Sequence, residues 1–298
     1  MKEIVVLSGK GGTGKTSLTA VFASLMGKPV LVDCDVDAAN LHLLLNPLVE
    51  ERHDFVGGAK ARADTATCNG CGLCADGCRF EAIRLNGIAA VDPLHCEGCG
   101  VCARTCPVGA ISLEPHVCGQ WFLSRTRNGP MLHARLAPGQ DNSGKLVSTL
   151  RQSARTLASQ NGASWILVDG PPGAGCPVIS SLTGADYVVM VTEPTLSGFS
   201  DLQRTVAVAD HFRVPTGIII NKADINADVA GRIEEYAATT GRDVLGRIGY
   251  DPAFTRAQLS GSSVLGSATA VLRRRLEGVW RAVERAILKE RSPFALIR

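Results

Sequence analysis

The stretch Ser8-Gly-Lys-Gly-Gly-Thr-Gly-Lys-Thr16 constrains the fold of this chain more than any other. Ile4-Val5-Val6-Leu7 ahead of it is a short, largely β-branched run and reads as a buried strand. Residues 17–26 behind it have helical spacing and few breakers. The glycines therefore sit at a strand-to-helix turn. Gly9, Gly11, Gly12 and Gly14 let the backbone curl until successive N–H groups point inward, and the helix start adds partial positive charge. Phosphate is the ligand such a turn accepts. Lys15 can reach β- and γ-phosphates and the Thr16 hydroxyl can bind Mg²⁺. Gly9, Lys10, Gly11, Gly12, Thr13, Gly14, Lys15, Thr16 and Ser17 thus form the candidate nucleotide-binding loop. Gly9-x-Gly11-x-x-Gly14 also fits a dinucleotide fingerprint, with Asp33 placed to hold a ribose. A dinucleotide needs neither a cation nor a hydroxyl at the helix start. A metal-bound triphosphate needs both, and Lys15-Thr16 supplies them.

The rest of the chain alternates strand and helix patterns. Residues 29–33, 165–169, 187–192, 216–220 and 244–248 read as strands, and 40–45 as an apolar helical turn. Residues 143–160, 199–211, 229–239 and a basic segment from 271 read as helices. This order predicts an α/β fold, a parallel sheet with right-handed crossovers and helices on both faces. In the last helix Leu272, Leu276, Val279, Val283 and Ile287 form one stripe, expected to pack on the sheet. A membrane-surface role for that helix is the weaker reading, because it carries a single Trp280 and a modest apolar face. A net charge of +3 leaves no electrostatic footprint for nucleic acid. Without a leader or an apolar run long enough to span a bilayer, the expectation is a soluble cytoplasmic protein.

Between about 57 and 116 the composition changes, and an internal repeat appears at an offset of 28. Cys68-x-x-Cys71-x-x-Cys74-x-x-x-Cys78 recurs as Cys96-x-x-Cys99-x-x-Cys102-x-x-x-Cys106, and Ala82-Ile83-x-Leu85 recurs as Ala110-Ile111-x-Leu113. Three thiolates two residues apart can wrap three corners of a cubane, and the fourth of each run ligates the other cluster. One [4Fe-4S] cluster is therefore expected on Cys68, Cys71, Cys74 and Cys106, and a second on Cys78, Cys96, Cys99 and Cys102. Pro107 follows Cys106, whereas Arg79 stands after Cys78. The alternative is zinc, whose sites usually separate two cysteine pairs by a dozen or more residues. The expected layout is a nucleotide domain of residues 1–56 and 117–298, with a small pseudo-twofold α+β ferredoxin-like domain, 57–116, inserted in it. Cys34, Cys118 and Cys176 lie outside the repeat. Cys34 reads as a buried structural thiol, and Cys176, in a Gly/Pro-rich loop, is a possible extra metal ligand.

Lys10-Gly-Gly-Thr-Gly-Lys15-Thr16 resembles the deviant Walker A loop of the MinD, ParA, Mrp and nitrogenase-iron-protein superfamily, with Lys10 as the group's signature. Asp33-Cys34-Asp35-Val36-Asp37 resembles its switch I, and Asp169-Gly-Pro-Pro-Gly173 its Walker B and switch II. With the cysteine repeat between them, the chain resembles MinD-superfamily ATPases carrying an inserted ferredoxin domain, of the orange-protein-complex type. The resemblance implies an ATPase that dimerises with itself or a paralogue and serves a redox or metal-cofactor-assembly partner. It implies that Thr16 and Asp169 hold Mg²⁺, that Asp35 orients the attacking water, and that Lys10 reaches the partner subunit's phosphates. It also implies that Asn221 reads the base, and that Cys176 falls where the nitrogenase iron protein has a cluster ligand. Asn221-Lys-Ala-Asp224 is similar to the guanine-reading motif of GTPases, whereas the superfamily favours ATP. A second function is compatible with these motifs: a MinD-like positioning ATPase whose ferredoxin part is an interaction module.

Overall fold

The computed structural model describes residues 1–139 and 143–289 of the 298. The chain opens with β1 (Lys2–Ser8), α1 (Lys15–Leu25), β2 (Val30–Asp33), α2 (Leu41–Leu45) and β3 (Leu48–Ala63). The cysteine-rich stretch holds α3 (Leu73–Asp76), β4 (Ile83–Asn86), β5 (Ile88–Val91) and α4 (Val101–Thr105). Two long strands lead out of it, β6 (Ile111–Thr126) and β7 (Gly129–Leu136). Then come α5 (Ser143–Asn161), β8 (Trp165–Pro172), α6 (Cys176–Leu182), β9 (Tyr187–Thr192) and α7 (Leu196–His211). The described chain closes with β10 (Thr216–Asn221), α8 (Ala227–Thr239), β11 (Val244–Ile248), α9 (Pro252–Leu259) and α10 (Ala270–Lys289).

Nine strands form one sheet in the order β11-β10-β9-β1-β8-β2-β7-β6-β3. From β11 to β7 every neighbour pair is parallel. Ile4, Val5, Val6 and Leu7 of the central strand are wholly buried, as a strand covered on both faces requires. The apolar stripe of α10 is buried as its spacing predicts, and Trp280 packs tilted against Phe22 and edge-on to Trp165, at ring-centroid distances of 5.4 and 6.4 Å. Among the described residues no helix is long and apolar enough to cross a membrane.

The edge next to β7 departs from the expected parallel sheet. A tight turn at Arg127-Asn128 reverses the chain between β6 and β7, and Thr126 Oγ1 donates to the Gly129 carbonyl at 2.7 Å. Gly129 has φ 131°, and a Cβ there would meet the Pro29 carbonyl at 2.3 Å. Its Asn128-Gly129 pair is a hairpin signal in its own right. β3 and β6 carry facing side chains: Arg125 pairs with Glu50 at 2.7 Å and Gln120 donates to Asp54 at 3.0 Å.

The chain divides into two compact units. The first comprises Met1–Arg52, Trp121–Arg135 and the chain from Ser143 onward. The second comprises His53–Gln120 and the segment after Arg135. The expected insert, 57–116, is shorter at both ends. β3 and β6 run through the boundary, so the composition changes several residues inside the structural break.

Candidate functional site

The phosphate loop joins the C-terminal end of β1 to the start of α1, within the nucleotide unit. Two of its glycines, Gly9 and Gly14, are required by their surroundings. A Cβ on Gly9 would lie 2.5 Å from the Asp201 backbone. One on Gly14, which has φ 91°, would lie 2.3 Å from Asn221 Nδ2. That amide donates to the Thr13 carbonyl at 2.7 Å, and Lys222 Nζ donates to the Gly12 carbonyl at 2.9 Å. The end of β10 thus clamps the loop from the side. Gly14→Ala should lower nucleotide affinity about tenfold or more, because the left-handed strain and the amide act together. Titration calorimetry reads this directly, and wild-type affinity in the variant would mean that the clamp gives way.

Lys15 is buried among carboxylates. Its Nζ lies 3.1 Å from Asp169 Oδ1 and 3.7 Å from Asp35 Oδ2. Burial opposes its charge, but Asp169, Asp35 and Asp33 outweigh it and raise its pKa. Asp169 is fully buried within β8 and accepts from Thr16 Oγ1 at 2.7 Å and from Thr19 Oγ1 at 2.8 Å. Thr19 was not singled out in the sequence, although it stands one helical turn from Thr16 on the same face. Asp33 accepts the backbone N–H groups of Asp35 and Leu41, which shapes the turn after β2. Burial, then the Asp169 charge, push the Asp33 carboxyl up to about 8. Burial also raises Asp35, with Lys15 opposing.

These groups line a cavity of about 660 Å³, of a size for a nucleotide. Gly11 to Thr16 form its phosphate end, and Lys222, Tyr250, Phe254 and Gln258 line it elsewhere. Thr13 Oγ1 is buried there with no hydrogen-bond partner among the described residues, which leaves a donor for a ligand oxygen. Ser17 accepts from Gln258 Nε2 at 3.1 Å, which ties α1 to α9. Two residues expected at the base also brace the loops around the cavity, which Asn221 lines. Asn221 holds the phosphate loop, and Asp224 Oδ1 accepts the Tyr250 N–H at 2.6 Å, fixing the loop that walls the cavity.

Lys10 turns onto its own subunit. Its Nζ lies 2.8 Å from Glu193 Oε1 and 3.1 Å from each of the Thr195 and Ser197 hydroxyls. Lys222 shares Glu193 at 2.9 Å. Burial alone would push the Glu193 carboxyl up, but the two ammonium groups outweigh it and hold it below the usual carboxylate range. Sequence reasoning passed over Glu193, which no motif marks.

The second unit brings the eight repeat cysteines together in two sets. Cys68, Cys71, Cys74 and Cys106 line one cavity, and Cys78, Cys96, Cys99 and Cys102 line another. Backbone N–H groups point at the sulfurs: Ala89 to Cys68 and Ala61 to Cys96, each at 3.4 Å, and Ala110 to Cys106 at 3.2 Å. The repeat extends further upstream than the cysteines. Asp64 and Asp92, again 28 apart, each accept at their carbonyl the N–H of the first cysteine of a run, at 3.1 Å. No disulfide forms among the described cysteines. Among the described residues, no three His, Cys, Asp or Glu side chains converge closely enough to hold a single metal ion. A cubane spreads its sulfur ligands over separate corners, so its ligands stand farther apart than those of one ion. Cys176 does not sit in a loop. It begins α6, exposed, with no such group around it among the described residues. Cys34 is fully buried, and burial pushes its thiol well up.

Fold and loop together define a P-loop nucleoside-triphosphatase. The model of the CobQ/CobB/MinD/ParA nucleotide-binding domain family matches residues 4–264, and the chain belongs to that family, as a P-loop ATPase. The uncharacterized protein MJ0578 of Methanocaldococcus jannaschii is 33% identical over 228 residues, 75% of this chain and 79% of that protein. Among solved structures, MinD from Pyrococcus horikoshii complexed with Mg-ADP superposes with a TM-score of 0.56 at 20% identity, covering 95% of this chain and 96% of that one. The ATP complex of an aspartate-to-alanine variant of Cyanothece McdA superposes with a TM-score of 0.59 at 17% identity, also covering 95% and 96%. At these identities the structures show the fold alone.

Proposed function

We propose that the chain is an ATP-hydrolysing iron–sulfur protein of the cytoplasm. On this reading nucleotide-dependent dimerisation is coupled to delivery of an electron, or of an iron–sulfur unit, to a partner protein. The observation that carries it is the sorting of eight cysteines into two four-cysteine cavities, in the sets that the crossed spacing of the repeat demands. The donor set suits [4Fe-4S] clusters, with thiolate sulfur throughout and backbone N–H groups aimed at the sulfurs. When bound, such clusters supply one-electron chemistry.

The nucleotide unit supplies the rest. The loop N–H groups and Lys15 neutralise the β- and γ-phosphates as ATP enters. Lys15 then exchanges its bonds to Asp169 and Asp35 for phosphate oxygens. Thr16 and Asp169, already bonded to each other, are placed to share Mg²⁺ directly or through water. Asp35, freed of Lys15, faces the γ-phosphate end and orients the attacking water. Lys10 has to leave Glu193, Thr195 and Ser197 before it can reach a second subunit, so these three contacts hold the monomer in its open form.

A second reading has its own support. The structural neighbours are MinD and McdA, and a positioning ATPase would use the cysteine-rich unit as a docking module. Anaerobic purification with iron and acid-labile sulfide analysis separates the two, alongside light scattering with and without ATP. The first reading expects two clusters per chain and ATP-dependent dimers. Lys10→Ala should lose the dimer and about 10²–10³-fold of turnover while still binding ATP. Zinc without sulfide would overturn the iron–sulfur reading, and nucleotide-dependent binding to lipid or filament regardless of redox state would favour the second.

A further inference from the structure

The two halves of the cysteine-rich unit are built alike and charged differently. Ala61 and Ala89, 28 residues apart, each aim an N–H at the first cysteine of a run, at the same 3.4 Å. The residue before each differs in kind. Lys60 is half-buried, and its Nζ donates to the Cys96 carbonyl at 2.5 Å. Its counterpart is Ile88, an uncharged side chain 38% exposed. The residue after the last cysteine of each run differs in the same sense: Arg79 follows Cys78 where Pro107 follows Cys106. Cys78 and Cys96 line the same cavity, so both departures fall beside one cysteine set in the chain, Arg79 exposed to solvent and Lys60 half-buried.

Several features act the other way, among them the exposed Asp76 two residues before Cys78 where Arg104 stands before Cys106, and the exposed Glu81 where the other half has Gly109. Glu97 stands where the other half has Asn69, and Ala110 gives Cys106 an additional N–H bond at 3.2 Å. These acidic residues are exposed, so solvent screens them, and a neutral dipole acts over a shorter range than an ammonium charge. Lys60 is the less screened charge, and it is bonded to the backbone of a ligand residue.

We propose that Lys60 makes the two clusters unequal. The set Cys78, Cys96, Cys99 and Cys102 then holds an electron more tightly than the set Cys68, Cys71, Cys74 and Cys106, which gives electron flow through the unit a direction. The proposal rests on the iron–sulfur reading above. Reduction adds one negative charge, and a nearby cation in a partly dry setting stabilises the reduced form. The electron comes from a low-potential one-electron donor protein and leaves to an acceptor protein of higher potential, with no bond made or broken. Lys60 is a positioning and tuning residue, since it acts on the cluster through Cys96 and through its charge.

The test is a redox titration followed by EPR on the full chain, purified without oxygen, after iron and sulfide have been counted. The wild type should reduce in two separable one-electron steps. Lys60→Met should lower the upper step until the preference between clusters falls about tenfold, or 59 mV for one electron. Lys60→Arg should retain the upper step, which a role confined to the hydrogen bond geometry of an ammonium would not. Ile88→Lys, on an exposed position, should raise the lower step and bring the two together. A fully loaded wild type that titrates as one step overturns the proposal, as does an upper step that Lys60→Met leaves unmoved. If Lys60→Met fails to load, the Ile88→Lys titration decides, and an unmoved lower step overturns the proposal. A wild type without two clusters defeats the iron–sulfur reading itself, a different outcome read in the iron and sulfide count.

Discussion

Lys15→Met should abolish ATP turnover and also destabilise the protein before any nucleotide binds. The catalytic loss is expected at about 10²–10³-fold or more, as for removal of a preorganised charge facing a transition state. The structural loss follows from where the ammonium sits. It is the cation among Asp169, Asp35 and Asp33, two of which are fully buried. Removing one partner from a buried charged group typically costs about 3–5 kcal/mol, because the remaining charges stay buried without compensation. The loss should also depend on pH. Lys15 lowers both Asp33 and Asp35, so without it burial raises both further. A carboxyl whose folded pKa is raised keeps a proton that the unfolded chain releases near pH 4, so folding loses stability as pH rises above that value. Urea unfolding of wild type and variant between pH 5 and pH 8 measures this. Asp33 keeps its proton in the folded wild type up to about pH 8, so below that value the gap should widen through Asp35, and a pH-independent gap would show that Lys15 is not the countercharge of Asp35.

The nucleotide site was legible in the sequence because phosphate binding leaves a local signature. A glycine-rich turn, a lysine and a hydroxyl must be contiguous, and they are. The central strands were legible for the same kind of reason. Residues 187–192 are an apolar run between breakers, and β9 occupies those residues. Three things were not legible. β3 shows few buried positions along its length, so it has no two-residue apolar period to recognise. β6 is likewise mostly unburied and shows no apolar period, although Asn128-Gly129 announced the turn that joins it to β7. α9 carries a cap signal in Asp251-Pro252, with Asp251 Oδ1 accepting the Ala253 N–H at 2.8 Å, but the segment is short and weakly apolar. Contacts between remote residues left no trace. That Asn221 braces Thr13, or that Glu193 gathers Lys10 and Lys222, depends on which strand ends meet, and one sequence does not record this.

If the iron–sulfur reading holds, stripping iron from the protein should unfold the cysteine-rich unit and leave the nucleotide unit folded. The buried residues that cluster around its cysteines are Ala61, Cys74, Ala82, Ile83, Ala89, Cys96, Cys102 and Ile111. Two isoleucines and three alanines bury little apolar surface, while larger side chains such as Leu73, Leu85 and Leu94 lie exposed. The helices there are one turn long and the separate sheet has two four-residue strands, none of which is stable alone. A small unit of this kind depends on covalent or metal staples, and thiolate ligands release their binding energy as folding energy. The nucleotide unit has its own core, running from Ile4 and Phe22 to Trp280, with no cysteine of the repeat in it. Brief proteolysis of the anaerobic protein before and after chelation, read by mass spectrometry, checks this. Cuts should appear within 68–106 at least about tenfold faster after chelation, at the rate set by the open population, while the nucleotide unit resists. Equal resistance before and after would mean that cysteines and alanines suffice as a core, and the two cavities would then lose their reading as iron–sulfur sites.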